Sequence, residues 1–335
     1  MRTYNWAILG LGNIAQKFAQ DLALVPHARL HAVASRSLAK AEAFAADFGA
    51  PHAVGSYEAL LAVPDIDVVY IATPHSEHYA HALLCLRAGL PVLCEKAFAL
   101  NASQAQEMIR VARERGVFLM EAFWTRFFPA IGRALELVQT GAIGEVKHLV
   151  ADFGFITDYQ PEGRLFNPAL AGGSLLDIGV YPLFISKLLL GTPTTVRAVA
   201  TPAPTGVDAN CAMALAYGSG ATATLFSTIG ATTDNRCVLY GTKGQLALAG
   251  RFHAATGVQV QLAGEEAPQV FTYPKEGLGY HYEAAHVQEC LAQGLTESPL
   301  LPLAFSLELM QLLDAVRQQI GLRYPGEAAD GPATS

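Results

Sequence analysis

Close to its amino terminus the chain reads Trp6-Ala7-Ile8-Leu9-Gly10-Leu11-Gly12-Asn13-Ile14-Ala15, and this stretch decides the fold. Its apolar start predicts a short buried strand, and the residues from Ile14 to Leu24 predict a helix directly after the turn. The first glycine permits a tight turn, the second lets a pyrophosphate approach the backbone, and the small Ala15 lets helix and strand pack closely. The helix amino terminus offers N–H donors and a favourable dipole to phosphates. The stretch therefore predicts a dinucleotide-binding unit.

Strands and helices continue to alternate up to residue 120. Continuous apolar runs at 68–72, 91–94 and 117–120 predict buried strands. Asn101 followed by Gln104 is typical of a helix start, and Gly116 is typical of the end of that helix. Strands separated by helices of this length predict βαβ units and a parallel sheet.

The pattern changes after Met120. Residues 196–273 read as strands separated by short turns, two of which are Gly218-Ser219-Gly220 and Gly241-Thr242-Lys243-Gly244. Helices return at 281–291 and 304–320. The sequence therefore predicts an α/β protein, with an N-terminal Rossmann domain around a parallel sheet and a C-terminal α+β domain around a large, mostly antiparallel open sheet.

Composition narrows the functional classes. Of 335 residues, 52% are hydrophobic and 15% are charged, which is typical of a globular protein. A net charge of -7 without a basic cluster disfavours nucleic acid as a partner. No apolar run reaches the roughly 18 residues expected of a membrane span. Five scattered cysteines without a Cys-x-x-Cys pair, and dispersed histidines, predict reduced thiols, no metal site and a cytoplasmic location.

The end of the second predicted strand, at residues 29–34, bears on the choice of cofactor. An NAD site usually carries an acidic residue roughly 20 residues after the glycines, where it binds the ribose 2′-hydroxyl. Here the chain reads Ser35-Arg36-Ser37, with Lys40 one helical turn later. An arginine suits a 2′-phosphate, and a serine hydroxyl can donate to it. We therefore expect NADP(H) as the preferred cofactor; if Arg36 is only a solvated loop residue, NAD(H) is used as well.

Four further segments are more specific to one protein family than the glycine turn is. They read Ile71-Ala72-Thr73-Pro74-His75-Ser76-Glu77-His78, Cys94-Glu95-Lys96, Met120-Glu121-Ala122-Phe123-Trp124-Thr125-Arg126 and Gly172-Gly173-Ser174-Leu175-Leu176-Asp177-Ile178-Gly179-Val180-Tyr181. With the glycine turn they resemble the glucose-fructose oxidoreductase, inositol dehydrogenase and rhizopine catabolism (Gfo/Idh/MocA) family. The Met120 segment resembles the branch that holds dimeric dihydrodiol dehydrogenase and NADP-dependent D-xylose dehydrogenase. One departure is Ala97, where the family has proline; we expect it to change loop rigidity more than chemistry.

The resemblance implies a domain plan. Residues 1–122 are expected to form the dinucleotide-binding Rossmann domain, to which a helix at 303–321 returns. Residues 123–302 are expected to form the α+β domain for substrate binding and dimerisation. The family commonly associates through the face of the second sheet, which implies a homodimer or a dimer of dimers. The tail at 325–335, rich in Gly, Ala and Pro, is expected to be disordered.

The resemblance also implies the reacting groups. Lys96 follows a parallel strand, where open α/β sheets bind ligands, and an unpaired ammonium there would polarise a substrate oxygen and lower the pKa of a nearby phenol. Tyr181 is the matching phenol and the expected general acid or base; other branches of the family carry histidine there. Asp177 lies four residues earlier, on the same helical face. It is expected to bind a substrate hydroxyl or to orient Lys96, with a purely structural role as the alternative.

The expected site extends beyond these groups. Trp124 and Arg126 are candidates for the cleft, with packing between the domains as the alternative. The expected cofactor-binding set is Gly10, Gly12, Asn13, Ile14, Ser35, Arg36, Lys40, Thr73, Pro74, His78, Glu95, Lys96, Trp124 and Arg126. The expected substrate-binding set is His75, Phe155, Asp177, Tyr181 and Tyr280.

The leading hypothesis is therefore an NADP(H)-dependent oxidoreductase. It would transfer a hydride between nicotinamide and a carbinol carbon of a small-molecule sugar or cyclic trans-diol. The alternative is a dinucleotide-binding sensor or regulatory protein without turnover. Retention of Lys96, Asp177 and Tyr181 together favours the enzyme, because a sensor need not keep all three.

Overall fold

The computed structural model describes residues 2–327. Its helices are α1 (Asn13–Leu22), α2 (Leu38–Phe48), α3 (His78–Arg87), α4 (Ala102–Arg115), α5 (Pro129–Gln139), α6 (Val180–Leu190), α7 (His281–Ala292) and α8 (Leu303–Ile320). Its strands are β1 (Tyr4–Leu9), β2 (Ala28–Ala34), β3 (His52–Val54), β4 (Val68–Ile71), β5 (Val92–Glu95), β6 (Leu119–Ala122), β7 (Val146–Gly154), β8 (Thr195–Pro202), β9 (Asp208–Ala216), β10 (Thr222–Thr228), β11 (Cys237–Gly241), β12 (Gly244–Ala249), β13 (Gly257–Leu262) and β14 (Gln269–Thr272). The predicted helix start is present, since Asn101 Oδ1 accepts from the N–H of Gln104 at 3.0 Å.

The first six strands form a parallel sheet in the order β3-β2-β1-β4-β5-β6. All residues of β4, β5 and β6 are buried, as expected where helices cover both faces of a parallel sheet. The chain moves outward in one direction from β1 to β3 and in the other from β4 to β6. Beside the carboxyl ends of β1 and β4 this reversal leaves a crevice, where such sheets bind ligands.

The other eight strands form a second sheet in the order β14-β13-β12-β11-β7-β10-β9-β8. Only the β7–β10 pair is parallel, so the predicted mostly antiparallel sheet is confirmed. The turns at 218–220 and 241–244 join antiparallel neighbours as predicted. Helices α5, α6 and α8 pack against this sheet. The α/β fold class is therefore confirmed in both halves.

The helix that carries Asp177 and Tyr181 is not regular. Leu175–Gly179 form one π-helical turn, and the chain then continues as α6. Isolated π turns are rare and often mark functional sites. The longer helical stretch Pro168–Leu190 contains no uninterrupted apolar run of the roughly 18 residues expected of a membrane span, although it meets the length and composition of such a span. Because 89% of its apolar window is buried inside the protein, it has the burial of a core helix.

The last helix and the residues after it contact the Rossmann domain. The buried Arg317 of α8 donates to the carbonyl of Leu100 at 2.7 Å, and Glu327 accepts from Asn101 Nδ2 at 3.0 Å. Glu327 also pairs with Arg317 and accepts from the N–H of Tyr324. Of the tail expected to be disordered, the structure describes residues 325–327, and these bonds hold Glu327. The remainder of the predicted tail, 328–335, lies outside the described residues.

Candidate active site

A cleft of about 720 Å³ opens at the carboxyl ends of the parallel strands. Almost every residue predicted for the site lines it: Gly10, Gly12, Asn13, Ile14, Ser35, Arg36, Lys40, Thr73, Pro74, His75, His78, Glu95, Lys96, Trp124, Asp177, Tyr181 and Tyr280. The fold thus places the glycine turn and the three expected reactive groups in one cleft. Among residues 2–327, no three His, Cys, Asp or Glu side chains are grouped so as to hold a metal ion.

Two residues predicted for the site lie outside the cleft. Arg126 Nε donates to the carbonyl of Leu300 at 2.9 Å, and this bond holds the guanidinium elsewhere. Phe155 follows the end of β7, where its N–H donates to the carbonyl of Thr228 at 3.1 Å and its ring packs against the core. Both positions depend on pairing between distant segments, which the local sequence does not reveal.

The glycine turn has the geometry required for a phosphate. Gly10 has a φ of +92°, and a Cβ there would lie 2.6 Å from Thr73 Cγ2. A Cβ on Gly12, in contrast, would meet no atom of the protein within 4 Å. Helix α1 starts after Gly12 without a side-chain cap and without an acidic residue in its first turn. Its first N–H groups and its dipole therefore suit an anion, as a dinucleotide requires.

The part of the cleft beside β2 is basic. Arg36 and Lys40 line it after β2, and Lys17 of α1 also lines the cleft. The two carboxylates that line the cleft lie on other elements, since Glu95 ends β5 and Asp177 precedes α6. Ser37 is occupied as the cap of α2, where its hydroxyl accepts from the N–H of Lys40. The sequence-based search missed Lys17, although it lies one turn after the glycines.

Two buried histidines contact the backbone of the loops around the cleft. His78 is fully buried, and its ring nitrogens lie 2.8 Å from the carbonyls of Thr73 and Ala97. It thereby connects the segment after β4 to the segment after β5, and it holds Ala97, the position where the family has proline. His75 Nδ1 lies 3.4 Å from the carbonyl of Ala171. Burial lowers the pKa of His78 to about 4, although the two carbonyls oppose that shift, and it lowers the pKa of His75 to about 3.

Glu95 forms the floor of the cleft at the end of β5. The hydroxyl of the buried Tyr70 donates to Glu95 Oε1, and the N–H of Lys96 donates to Oε2 at 3.1 Å. Burial raises the pKa of Glu95 to about 6, although both hydrogen bonds oppose that shift. Its two oxygens are therefore committed to protein donors.

Lys96 is paired, which corrects the expectation of a free ammonium. Its Nζ donates to the carbonyl of Asp177 at 2.5 Å and lies 3.4 Å from Asp177 Oδ1. The same Nζ lies over the ring of Tyr181, 4.9 Å from its centroid. The ammonium is thus held between the other two expected reactive groups.

Asp177 is held by a residue that the sequence-based search missed. Arg164 NH1 donates to Asp177 Oδ1 at 2.8 Å, and NH2 donates to Oδ2 at 3.2 Å. Burial alone would raise the pKa of this carboxyl, but Lys96 and then Arg164 hold it well below its usual range. Arg164 lies in the irregular segment between β7 and the π turn, and no motif marked it.

Tyr181 meets a different environment from the one expected. Its hydroxyl accepts from Trp124 Nε1 at 2.9 Å, and Trp124 stacks on Tyr280 with ring centroids 4.5 Å apart. Burial, and next the negative charge of Glu95, raise the pKa of Tyr181 well above its usual value. Lys96, whose ammonium lies over the ring face and pairs with Asp177, does not offset this rise. The phenol therefore holds its proton at neutral pH.

Comparison with protein families agrees with this geometry. Residues 4–123 match the oxidoreductase family with an NAD-binding Rossmann fold, and residues 131–247 match the GFO/IDH/MocA C-terminal domain. The chain belongs to the Gfo/Idh/MocA family. The predicted family is therefore confirmed, and so is the prediction of an NAD(P)-dependent enzyme over a sensor without turnover.

Named relatives of this Gfo/Idh/MocA protein extend over nearly its whole length. The trans-1,2-dihydrobenzene-1,2-diol dehydrogenase of Bos taurus is 40% identical over 329 residues, covering 96% of this chain and 98% of the relative. The Homo sapiens enzyme of the same name is 37% identical, with 96% and 98% covered. Among solved structures, an aldose-aldose oxidoreductase from Caulobacter crescentus has a TM-score of 0.86 at 29% identity, covering 95% of this chain and 97% of that one. A 3-ketoreductase from Actinomadura kijaniata in complex with NADP has a TM-score of 0.82 at 28% identity, with 95% and 98% covered.

Proposed function

We propose that this protein is an NADP(H)-dependent dehydrogenase that acts on a carbinol carbon of a sugar or a cyclic trans-diol. The observation that carries the proposal is the contact of Lys96 with Asp177 and Tyr181 in the cleft that also holds the glycine turn. The substrate class rests on the names of the relatives, a dihydrodiol dehydrogenase and an aldose-aldose oxidoreductase. In this proposal residues 1–122 with 303–321 bind the cofactor, and residues 123–302 bind the substrate.

The cleft divides into a cofactor part and a substrate part. We assign the pyrophosphate to the turn Gly10–Ile14, a 2′-phosphate to Ser35, Arg36 and Lys40, and the nicotinamide side to Thr73, Pro74, His78, Glu95 and Trp124. When bound, the nicotinamide supplies or accepts the hydride. We assign His75, Tyr280 and the three reactive groups to the substrate. Arg126 and Phe155, which lie outside the cleft, are left out of both sets.

The protein supplies proton transfer and charge. Tyr181 gives a proton to the substrate oxygen in reduction and takes it back in oxidation. Lys96 stabilises negative charge on that oxygen. Because its raised pKa keeps the Tyr181 phenol protonated at neutral pH, reduction needs no prior loss of a proton. Oxidation needs the phenolate, so its rate is expected to increase with pH.

A turnover assay tests the proposal. We would incubate the purified protein with NADP+ or NAD+ and either trans-1,2-dihydrobenzene-1,2-diol or D-xylose, and follow reduced cofactor at 340 nm. Turnover of either compound is the expected result. Tight cofactor binding by titration calorimetry, without reduction of the cofactor by these compounds or by a panel of aldoses, would contradict the proposed substrate class.

The cofactor preference depends on Arg36. Replacing Arg36 with Ala is expected to raise the Kd for NADP+ by about 10- to 100-fold, because a hydrogen bond to a charged group contributes ~1.5–3 kcal/mol. The Kd for NAD+ should change little, since NAD+ has no 2′-phosphate. Arg29→Ala is the matched control, because Arg29 is an exposed arginine on β2 that does not line the cleft. Equal weakening of both cofactors in the Arg36 variant would contradict the assignment.

Replacing each of the two glycines of the turn with alanine is expected to change a different property, stability for Gly10 and cofactor affinity for Gly12. Gly10→Ala should lower the free energy of unfolding by about 1–3 kcal/mol, because its φ of +92° is strained for alanine and its Cβ would press on Thr73. Gly12→Ala should leave unfolding nearly unchanged, since its Cβ meets no protein atom, yet raise the Kd for NADP+ about 10-fold or more through overpacking. Chemical denaturation and calorimetry measure the two effects. A Gly12 variant that binds NADP+ normally would argue against a pyrophosphate at this turn.

We further propose a homodimer formed through the second sheet. Within residues 2–327, no helix covers one face of that sheet: Val199, 72% exposed, lies opposite Ala212, which lies opposite Phe226. An apolar sheet face of this kind suits a second copy of the chain.

Free, buried cysteines at all five positions suit a reducing compartment such as the cytoplasm.

A further inference from the structure

Arg164 forms two hydrogen bonds in the proposed active site, although no sequence motif marked this residue. It binds the Asp177 carboxylate through both terminal nitrogens, at 2.8 and 3.2 Å, with one nitrogen on each oxygen. Two parallel bonds of this kind fix the plane of the carboxylate as well as its position. Asp177 is nine-tenths buried in its side chain, whereas the Arg164 side chain is half exposed and lines the cleft.

The backbone around Arg164 is built into the turn that leads to Asp177. A Cβ on Gly172 would lie 2.8 Å from the carbonyl oxygen of Arg164 and 2.7 Å from that of Leu165. Gly173 has a φ of +114°, and its N–H donates to the carbonyl of Leu165 at 2.8 Å. The paired glycines therefore allow the segment that carries Arg164 to lie directly against the start of the helix that carries Asp177.

The charges around Asp177 explain what the contact accomplishes. Two cations, Lys96 and Arg164, share one carboxylate, so these three groups together carry one positive charge, with the Glu95 carboxyl nearby at the end of β5. Without Arg164, Asp177 would be the counterion of Lys96 alone, and that pair would be neutral. The other titratable groups that face Asp177 are His75 after β4, Glu95 at the end of β5, Tyr181 on the same helix and Tyr324 after α8.

We infer that Arg164 is a positioning residue of this active site: it holds the Asp177 carboxylate in place and takes up part of its charge. The Lys96 ammonium thereby keeps the charge with which it acts on a substrate oxygen. This inference rests on the proposed function, since it names the residue that prepares Lys96 and Asp177 for the reaction.

Kinetics of Arg164 variants test the inference, with trans-1,2-dihydrobenzene-1,2-diol and NADP+ as the assay. Arg164→Met is expected to lower kcat by about 10- to 100-fold and to change the Kd for NADP+ by less than about 3-fold, because the lost bonds are charge-assisted and lie in the substrate part. Arg164→Lys keeps the charge without the paired bonds, so its kcat should be intermediate. The control is Arg110→Met, which removes an equally bidentate pair with Glu107, at 2.8 and 2.7 Å, on the exposed surface of α4.

The pH profile separates this role from a merely structural one. Removing Arg164 disfavours the ionised carboxylate, so the pKa of Asp177 rises. If the ionised form is the active one, activity is then lost at a higher pH as the solution is acidified. The acid limb of kcat/KM should therefore move to higher pH in Arg164→Met, move less in Arg164→Lys and stay in place in Arg110→Met. If Arg164→Met kept the wild-type kcat and the acid limb of its kcat/KM profile stayed in place, the inference would be overturned.

A measurement without turnover keeps this result separate from the proposed function. Carbon-13 NMR of protein labelled at its aspartate carboxyls, with Asp177→Asn to assign the resonance, reports the protonation of Asp177 directly. The resonance is expected to titrate at higher pH in Arg164→Met than in the wild type. Failure of the wild type to oxidise any tested compound would defeat the proposed function alone, whereas an unchanged Asp177 titration would defeat the role of Arg164.

Discussion

Replacing Lys96 with Met is expected to lower kcat by about 10³-fold, the effect of losing a group that stabilises charge in the transition state. Methionine has a similar length but cannot donate to the Asp177 carbonyl, which Lys96 Nζ now meets at 2.5 Å. Cofactor affinity should change by less than about 3-fold, because the glycine turn and the basic residues beside β2 are untouched. Steady-state rates at 340 nm give kcat, and calorimetry gives the Kd for NADP+.

Two further variants make the Lys96 result specific. Lys96→Arg keeps the positive charge and should recover part of the rate if charge is what matters. Lys147→Met removes an exposed lysine on β7, outside the cleft, and should leave kcat unchanged. Thermal unfolding of each variant checks that the fold persists. A folded Lys96→Met protein with wild-type turnover would refute the assignment of the reactive groups.

Replacing Tyr181 with Phe is expected to lower kcat by about 10²- to 10³-fold, within the range usual for a general acid or base. The substitution removes only the hydroxyl, so the ring contacts with Phe123 and Phe153 stay. Trp124 Nε1 loses its acceptor in the variant, which we expect to cost little because the cleft admits water. Measurement of both oxidation and reduction is needed, since the phenol serves in both directions.

The pH dependence gives the Tyr181 prediction its sharper form. Burial holds the pKa of the phenol well above its usual value, so wild-type oxidation should accelerate as the pH increases and more phenolate forms. This increase of the oxidation rate with pH should be absent in Tyr181→Phe. Tyr217→Phe is the control, because Tyr217 is buried and does not line the cleft. Retention of the increase in the Tyr181 variant would point to another proton carrier.

The Rossmann half of the molecule was largely predictable from local pattern. The capping pair Asn101 and Gln104, the buried strand at 68–71 and the turn at Gly10 each follow from neighbouring residues. The same holds for the hairpins of the second sheet, whose turns contain closely spaced glycines. The π turn at Leu175–Gly179 was not predictable in this way, because its apolar sequence reads as an ordinary helix.

Local pattern and motif resemblance were enough to establish a dinucleotide-binding fold and its family and to propose three reactive groups, because each depends on a short segment with its own chemistry. Only the folded chain decided how those groups are charged. Lys96 is paired and Asp177 is shared with Arg164, while Tyr181 keeps its proton, and all three outcomes depend on burial and on contacts between segments far apart in the chain. Arg126 was misplaced for the same reason: its partner, the Leu300 carbonyl, is brought to it by folding. Burial and long-range pairing set these properties, and neither can be read from neighbouring residues.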